Sequence, residues 1–173
     1  VFVETISDPR LVERIAADAA VPILVARHDP PLGVAGNFAD AIVRASGDVV
    51  ALCDQDDVWH PDKVERMLAA LDGVDLAHSD ALLVDEDGAP LGATLLESLE
   101  ATAEERARMA DGGALAALLR RNLVTGATVV VRRDAATAAL PVPEGWIHDE
   151  WIAVTCALGG GARLLPEPTI DYR

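Results

Sequence analysis

The sequence predicts an α/β domain with a mainly parallel sheet and helices on both faces. Short β-rich runs alternate with stretches of helical periodicity through the first half of the chain. An acidic run, Asp54-Gln55-Asp56-Asp57, stands directly after the apolar stretch 49–53. With 173 residues and 51% hydrophobic content, the chain is long enough to bury one core.

Val1-Phe2-Val3 reads as a strand. Residues 9–19 carry apolar side chains at 11, 12, 15, 16 and 19, a helical spacing. Residues 21–26 are short and β-rich, which predicts a strand. Val34, Phe38, Ala41, Ile42 and Ala45 share one face of a helix over 34–45. Gly47-Asp48 marks a turn, and Val49 to Cys53 is the next strand. Pro61 suits a first helical position, and Val64, Met67, Leu68 and Leu71 give that helix its apolar stripe. Residues 75–84 hold two apolar runs broken at His78-Ser79-Asp80, followed by the turn signal Asp85-Glu86-Asp87-Gly88. A helix is predicted over 101–121, broken at Gly112-Gly113, and a strand over 127–131. Ile147, Trp151, Val154, Thr155 and Leu158 mark a last amphipathic helix, closed by three glycines at 159–161 ahead of a short strand at 162–165. There is no internal repeat and no interdomain linker.

A net charge of −15 argues against binding a nucleic-acid backbone or an anionic membrane surface. It does not exclude anionic substrates, because a bound metal reverses the local sign. No apolar run reaches the ~18 residues of a membrane span. Cys53 and Cys156 sit in apolar segments without metal-ligand spacing, which predicts reduced, buried thiols.

Carboxylates crowded at the mouth of a buried strand raise each other's pKa. A hard cation such as Mg²⁺ or Mn²⁺ relieves that repulsion and bridges carboxylates to phosphate. Ligands bind at the carboxyl ends of strands in open α/β sheets, where this run lies. The alternative is a solvated turn that caps the following helix.

Further along stand Gly33-Val34-Ala35-Gly36-Asn37-Phe38, the block Asp54 to Trp59 with Pro61 and Lys63 behind it, His78-Ser79-Asp80, Thr125-Gly126-Ala127, Trp146-Ile147-His148-Asp149-Glu150-Trp151, and Tyr172-Arg173. In this order and spacing the chain resembles the family 2 glycosyltransferases of the GT-A fold, in particular their rhamnosyltransferase-like branch. The resemblance covers almost the whole chain. It implies a Rossmann-like single domain over 1–173, with residues 1–85 as the nucleotide-sugar and metal-binding half and 86–173 as the acceptor half. It also implies a sheet incomplete at its N-terminus, since relatives open with a strand and helix that would precede Val1. An unpaired edge there would favour a homodimer.

The activity implied is metal-dependent, inverting transfer of a sugar, such as rhamnose, from a nucleotide-diphospho sugar to a saccharide or lipid-linked acceptor. Its setting would be cytoplasmic, at the inner face of the cell membrane, in building cell-surface polysaccharide. By the same resemblance Asp54 faces the nucleotide, with Asn37, Asp80 and Glu4 as further donor contacts. Asp56 holds a divalent Mg²⁺ or Mn²⁺, with Asp57 as helper or as a helix cap. Asp149 is the general base, or alternatively an N-cap of the helix that follows it. His148 is an orienting residue, a late metal ligand or a surface residue. Trp151 stacks on a sugar or packs in the core. Thr125 and Gly126 let the backbone approach the acceptor, or form an ordinary turn. The family's second strand leads into an Asp-Asp-Gly-Ser-type loop, where this chain has Glu4-Thr5-Ile6-Ser7-Asp8. That departure keeps a second function open, a GT-A-like domain that binds a nucleotide or partner without turnover. A phosphohydrolase using the acidic run ranks last, for want of a two-metal ligand set.

Overall fold

The computed structural model describes residues 24, 26, 28–54 and 56–173. The strands expected at 1–3 and 21–26, the helix at 9–19, Glu4 and its loop, and Gln55 lie outside the described residues, apart from Leu24 and Ala26. In chain order the elements are α1 (Gly33–Arg44), β1 (Val49–Ala51), β2 (Val58–Trp59), α2 (Lys63–Ala70), β3 (Leu76–Val84) and β4 (Pro90–Thr94). There follow α3 (Leu95–Ser98), α4 (Ala103–Ala110), α5 (Ala114–Leu118), a 3-10 turn (Gly126–Thr128), β5 (Val129–Arg132), α6 (Arg133–Ala138), α7 (His148–Leu158) and β6 (Ala162–Tyr172).

The strands form one sheet in the order β1-β5-β3-β6-β2, with β4 also on β3. β3 and β6 run parallel, and the remaining described pairings are antiparallel. Alternation along the strands feeds a core on each face, as the two-residue period requires. Leu76, Val129 and Val131 pack with α1 and α5–α7, while Ala77 and Val130 pack with Met67 and Leu71. The α/β architecture with helices on both faces is therefore present, but the expected mainly parallel sheet is corrected: among the described strands the sheet is mixed, parallel only between β3 and β6, because the other neighbouring strands run in opposite directions.

β6 runs on to Tyr172, well past the 162–165 expected. Its register against β3 slips between Ser79↔Leu165 and Asp80↔Pro168. Pro166 and Pro168 fall at this irregularity, where a missing N–H costs no ladder bond. β3 is also continuous through His78-Ser79-Asp80, which were expected to break it. All three are buried; the polarity of Ser79 and Asp80 marks interior bonding and not a loop, while His78 Nε2 has no hydrogen-bond partner among the described residues. Ser79 Oγ lies 2.6 Å from Thr169 Oγ1 on β6. Asp80 Oδ1 accepts from the Ala81 and Leu96 amides, both at 2.9 Å, and Oδ2 lies 3.7 Å from Arg106.

The break at Gly112-Gly113 separates α4 from α5 as expected, and the Asp85–Gly88 turn closes with Asp85 Oδ1 accepting from the Asp87 and Ala89 amides. Three helical faces are corrected. Phe38 and Ile42 are buried on α1, but Val34 is 65% exposed. On α2 the inward positions are Lys63 and Met67, while Val64 and Leu68 are exposed. On α7 the inward set includes Ile152, Ala153, Val154 and Cys156, with Ile147 and Leu158 outside. Apolar side chains abound on both sides of these short helices, so the packed sheet, and not the periodicity, selects the buried face. Neither cysteine is in a disulfide; Cys156 is buried, and half-buried Cys53 donates its thiol to the Asp54 carbonyl at 3.2 Å.

Substituting Asp80→Ala strands two buried amide donors and the Arg106 charge. It is expected to lower stability by about 3 kcal/mol, seen as a shift of the urea midpoint at constant m-value. His78 is 1% exposed and burial pushes its pKa down to about 4 from the ordinary 6.5. Between those values the unfolded chain binds the proton and the folded chain does not, so stability falls as pH drops from 6.5 towards 4. His78→Leu should flatten that decline by ~2 to 3 kcal/mol between pH 6.5 and 4.5, measured by urea melts at both pH values.

Candidate active site

The site follows from the antiparallel pairing of β1 with β5. Ala51 faces Val130, and the Leu52 amide donates to the Val129 carbonyl at 3.1 Å. The acidic run leaving β1 is thereby laid beside the Gly126–Thr128 turn that starts β5. The Gly126 amide in turn donates to Asp149 Oδ2 at 2.8 Å, and Asp149 Oδ1 accepts from the Glu150 amide at 2.7 Å. Asp149 lies in the first turn of α7, whose N-cap is Ile147, so it is not the N-cap residue; one of its oxygens is held by the turn ahead of β5 and the other by a first-turn amide of α7 itself. Asp54 and Asp149 are close enough for each to bear on its neighbours' charge.

His148 is 7% exposed and stacks on Phe38 of α1, with ring centroids 3.8 Å apart and planes 11° from parallel. Neither ring nitrogen has a hydrogen-bond partner among the described residues. Burial lowers its pKa, while the charges of Asp149 and Asp54 oppose the shift. A Cβ built on Gly126 would stand 3.3 Å from His148 Nε2 and 3.5 Å from Asp149 Oδ2. Glycine at 126 therefore serves the approach of α7's first turn. Thr125 precedes it, and its carbonyl accepts from the Thr128 amide and hydroxyl.

The acidic run itself is divided by environment. Asp56 is exposed, whereas Asp54 and Asp57 are half-buried. Burial raises the Asp54 pKa, with the Asp56 charge adding to it. Burial also pushes Asp57 up to about 6, opposed by the Arg173 amide and reinforced by Asp54 and Asp56. Asp57 Oδ1 accepts from that amide at 3.3 Å, so Asp57 ties the run to the end of β6 and caps no helix. Its Oδ2 is buried with no hydrogen-bond partner among the described residues, a lone acceptor of the kind a cation satisfies. Among the described residues no three His, Cys, Asp or Glu side chains are already gathered as a metal cluster.

Of the remaining expected residues, Asn37 lies half-buried in α1, next to Phe38. Asp80 is buried and committed to the α3 and α4 contacts described above. Trp151 packs against the core, donates its indole N–H to the Ala139 carbonyl at 2.6 Å, and meets Trp146 edge-on. Two residues of the site were given no role by sequence reasoning. Tyr172 has its phenol pKa raised by burial and then by Asp57, Asp54, Asp56 and Asp149, which places it amid the carboxylates. Lys63 is 1% exposed behind the acidic run. The signal for it was its place directly after Asp-Asp-Val-Trp-His-Pro-Asp. Nothing in the sequence says that a lysine there points inward.

Comparison with known proteins adds the following. The family model described as glycosyl transferase family 2 matches residues 5–116. An uncharacterized protein of Mycobacterium tuberculosis is 28% identical over 98% of this chain and 47% of its own length. The uncharacterized glycosyltransferase YwdF of Bacillus subtilis is 32% identical over 40% of this chain and 29% of its own length. The chain thus spans about half the length, or less, of the curated relatives it matches. Among solved structures, Staphylococcus aureus TarS with UDP-GlcNAc superposes with a TM-score of 0.63 at 17% identity, over 99% of this chain and 48% of that one. Glucosyl-3-phosphoglycerate synthase of M. tuberculosis, with Mg²⁺ and uridine diphosphate, gives 0.52 at 17% identity, over 100% and 59%. At these identities the likeness establishes a shared fold.

Gly126→Ala is expected to cost ~1 to 3 kcal/mol by crowding His148 and Asp149. The amide at 126 should also exchange faster with solvent as its bond to Asp149 breaks. Unchanged protection at 126 would show that Asp149 is not held there.

Proposed function

The chain belongs to family 2 of the glycosyltransferases, and on that premise we propose that it transfers a sugar from a nucleotide-diphospho sugar to a hydroxyl acceptor with inversion at the anomeric carbon. The observation that carries this reading is the Gly126 bond that fixes Asp149 beside the acidic run. In it, a carboxylate suited to take a proton stands next to carboxylates suited to a cation.

In this reading Asp56 and Asp57 hold a divalent cation, and the buried Asp57 Oδ2, unpartnered among the described residues, supports their fitness for it. Such a cation, when bound, supplies positive charge to the leaving diphosphate. Asp54 and Asn37 face the nucleotide end, and the likeness to structures holding uridine nucleotides makes uridine donors the first to try. Asp149 receives the proton of the acceptor hydroxyl as that oxygen bonds to the sugar C1. The bond from C1 to the diphosphate breaks, and the nucleoside diphosphate leaves with the electron pair. Two backbone N–H groups orient the Asp149 carboxylate and leave each oxygen a free lone pair for this proton. His148, stacked on Phe38, fixes the first turn of α7 and joins it to the helix that carries Asn37.

The proposal extends to a rhamnosyl donor, a saccharide or lipid-linked acceptor, and a division into a donor half over 1–85 and an acceptor half over 86–173. No helix among the described residues is long and apolar enough to cross a membrane.

Calorimetric titration with UDP-GlcNAc, UDP-glucose and dTDP-rhamnose, with and without Mn²⁺, tests the donor site. Metal-dependent binding is expected, and it should be lost in Asp57→Ala. Asp149→Asn should keep donor affinity within about threefold and lower turnover by ~10²- to 10⁴-fold. Donor binding with no turnover in either protein would instead identify a binding domain.

A further inference from the structure

Lys63 is the one lysine among the described residues, and it is enclosed at 1% exposure. Burying an ammonium is costly unless it is bonded and paired. Its Nζ donates to the Ala127 carbonyl at 2.9 Å and lies 4.7 Å from the centre of the Trp59 ring. It also feels the charge of Asp57, and burial pulls its pKa down to about 8. These contacts come from three separate segments. Lys63 starts α2, Trp59 stands two residues beyond Asp57, and Ala127 follows Gly126, whose amide holds Asp149.

We infer that Lys63 is a positioning residue, a buried clamp that sets the acidic run against the Gly126 anchor of Asp149 and so fixes the distance between cation and base. This rests on the reading of Asp56 and Asp57 as cation ligands. The clamp and a mere counter-charge have opposite consequences. A counter-charge near the run repels a divalent cation, so its removal would tighten cation binding. Loss of a clamp would let the run drift and would weaken binding, as outer supports of metal ligands do.

The test uses the whole chain, with Mn²⁺ as probe and free Mn²⁺ followed by electron paramagnetic resonance. Backbone hydrogen exchange is measured in parallel without metal. Lys63→Met is expected to weaken Mn²⁺ binding ~10-fold or more, and to speed exchange at 56–59 and 126–128. Lys63→Arg, which keeps a donor for Ala127, should recover affinity to within about threefold. Unchanged or tighter Mn²⁺ binding in Lys63→Met, with unaltered exchange, overturns the inference. Should the wild-type chain bind no Mn²⁺ even with uridine diphosphate, the cation reading fails. The exchange data then decide the clamp alone, faster exchange sustaining it and unchanged exchange overturning it. Should Lys63→Met not fold, Lys63→Arg decides, and a folded arginine variant with ~10-fold weaker binding or faster exchange overturns the inference.

Discussion

Carboxylates can share the dry end of a sheet only if backbone N–H groups or positive charge offset their repulsion. That constraint organises the carboxyl end of β1. Asp149 is met by the amides of Gly126 and Glu150, and Asp57 by the amide of Arg173. Lys63 supplies one buried positive charge from behind. What these leave over is a buried Asp57 oxygen with no donor among the described residues and a pKa held high by burial. The residual negative potential is the property that the proposed donor site uses, because a cation and a diphosphate together would complete the balance.

The supports of that site come from distant parts of the chain. The β1–β5 pairing brings residues 54–57 to Gly126, and Gly126 brings in α7. The Phe38–His148 stack adds α1, and β6 contributes Tyr172 and the Arg173 amide. β6 reaches the site only because it runs parallel to β3 and slips register at its prolines before pairing with β2. The buried polar pairs in this central region, Ser79 with Thr169 and Asp80 with the Leu96 amide, hold the two strands and α3 in one arrangement.

Much of this was legible locally. The β1 strand followed by acids, the break at Gly112-Gly113, the Asp85–Gly88 turn and the helix after Ile147 each rest on short-range chemistry. Residues whose roles depend on a neighbour far along the chain were not legible. His78-Ser79-Asp80 read as a break because polar residues favour loops. Only the proximity of Thr169, Leu96 and Arg106 gives Ser79 and Asp80 interior partners, and His78 is buried beside them by the continuous strand. Val64 and Leu68 read as core because they are apolar. The sheet instead faces the side of α2 that carries Lys63 and Met67.

By itself the sequence determined the α/β class, the family and the residue types gathered for the chemistry, because a strand, an acidic run and a helix start are properties of adjacent residues. Tertiary structure alone decided which carboxylate oxygens are satisfied and which is left over. It also decided that Gly126 makes room for His148 and Asp149, and that Lys63 points inward. These depend on distances between segments joined by strand pairing. Strand register sets such distances, and no local pattern records it.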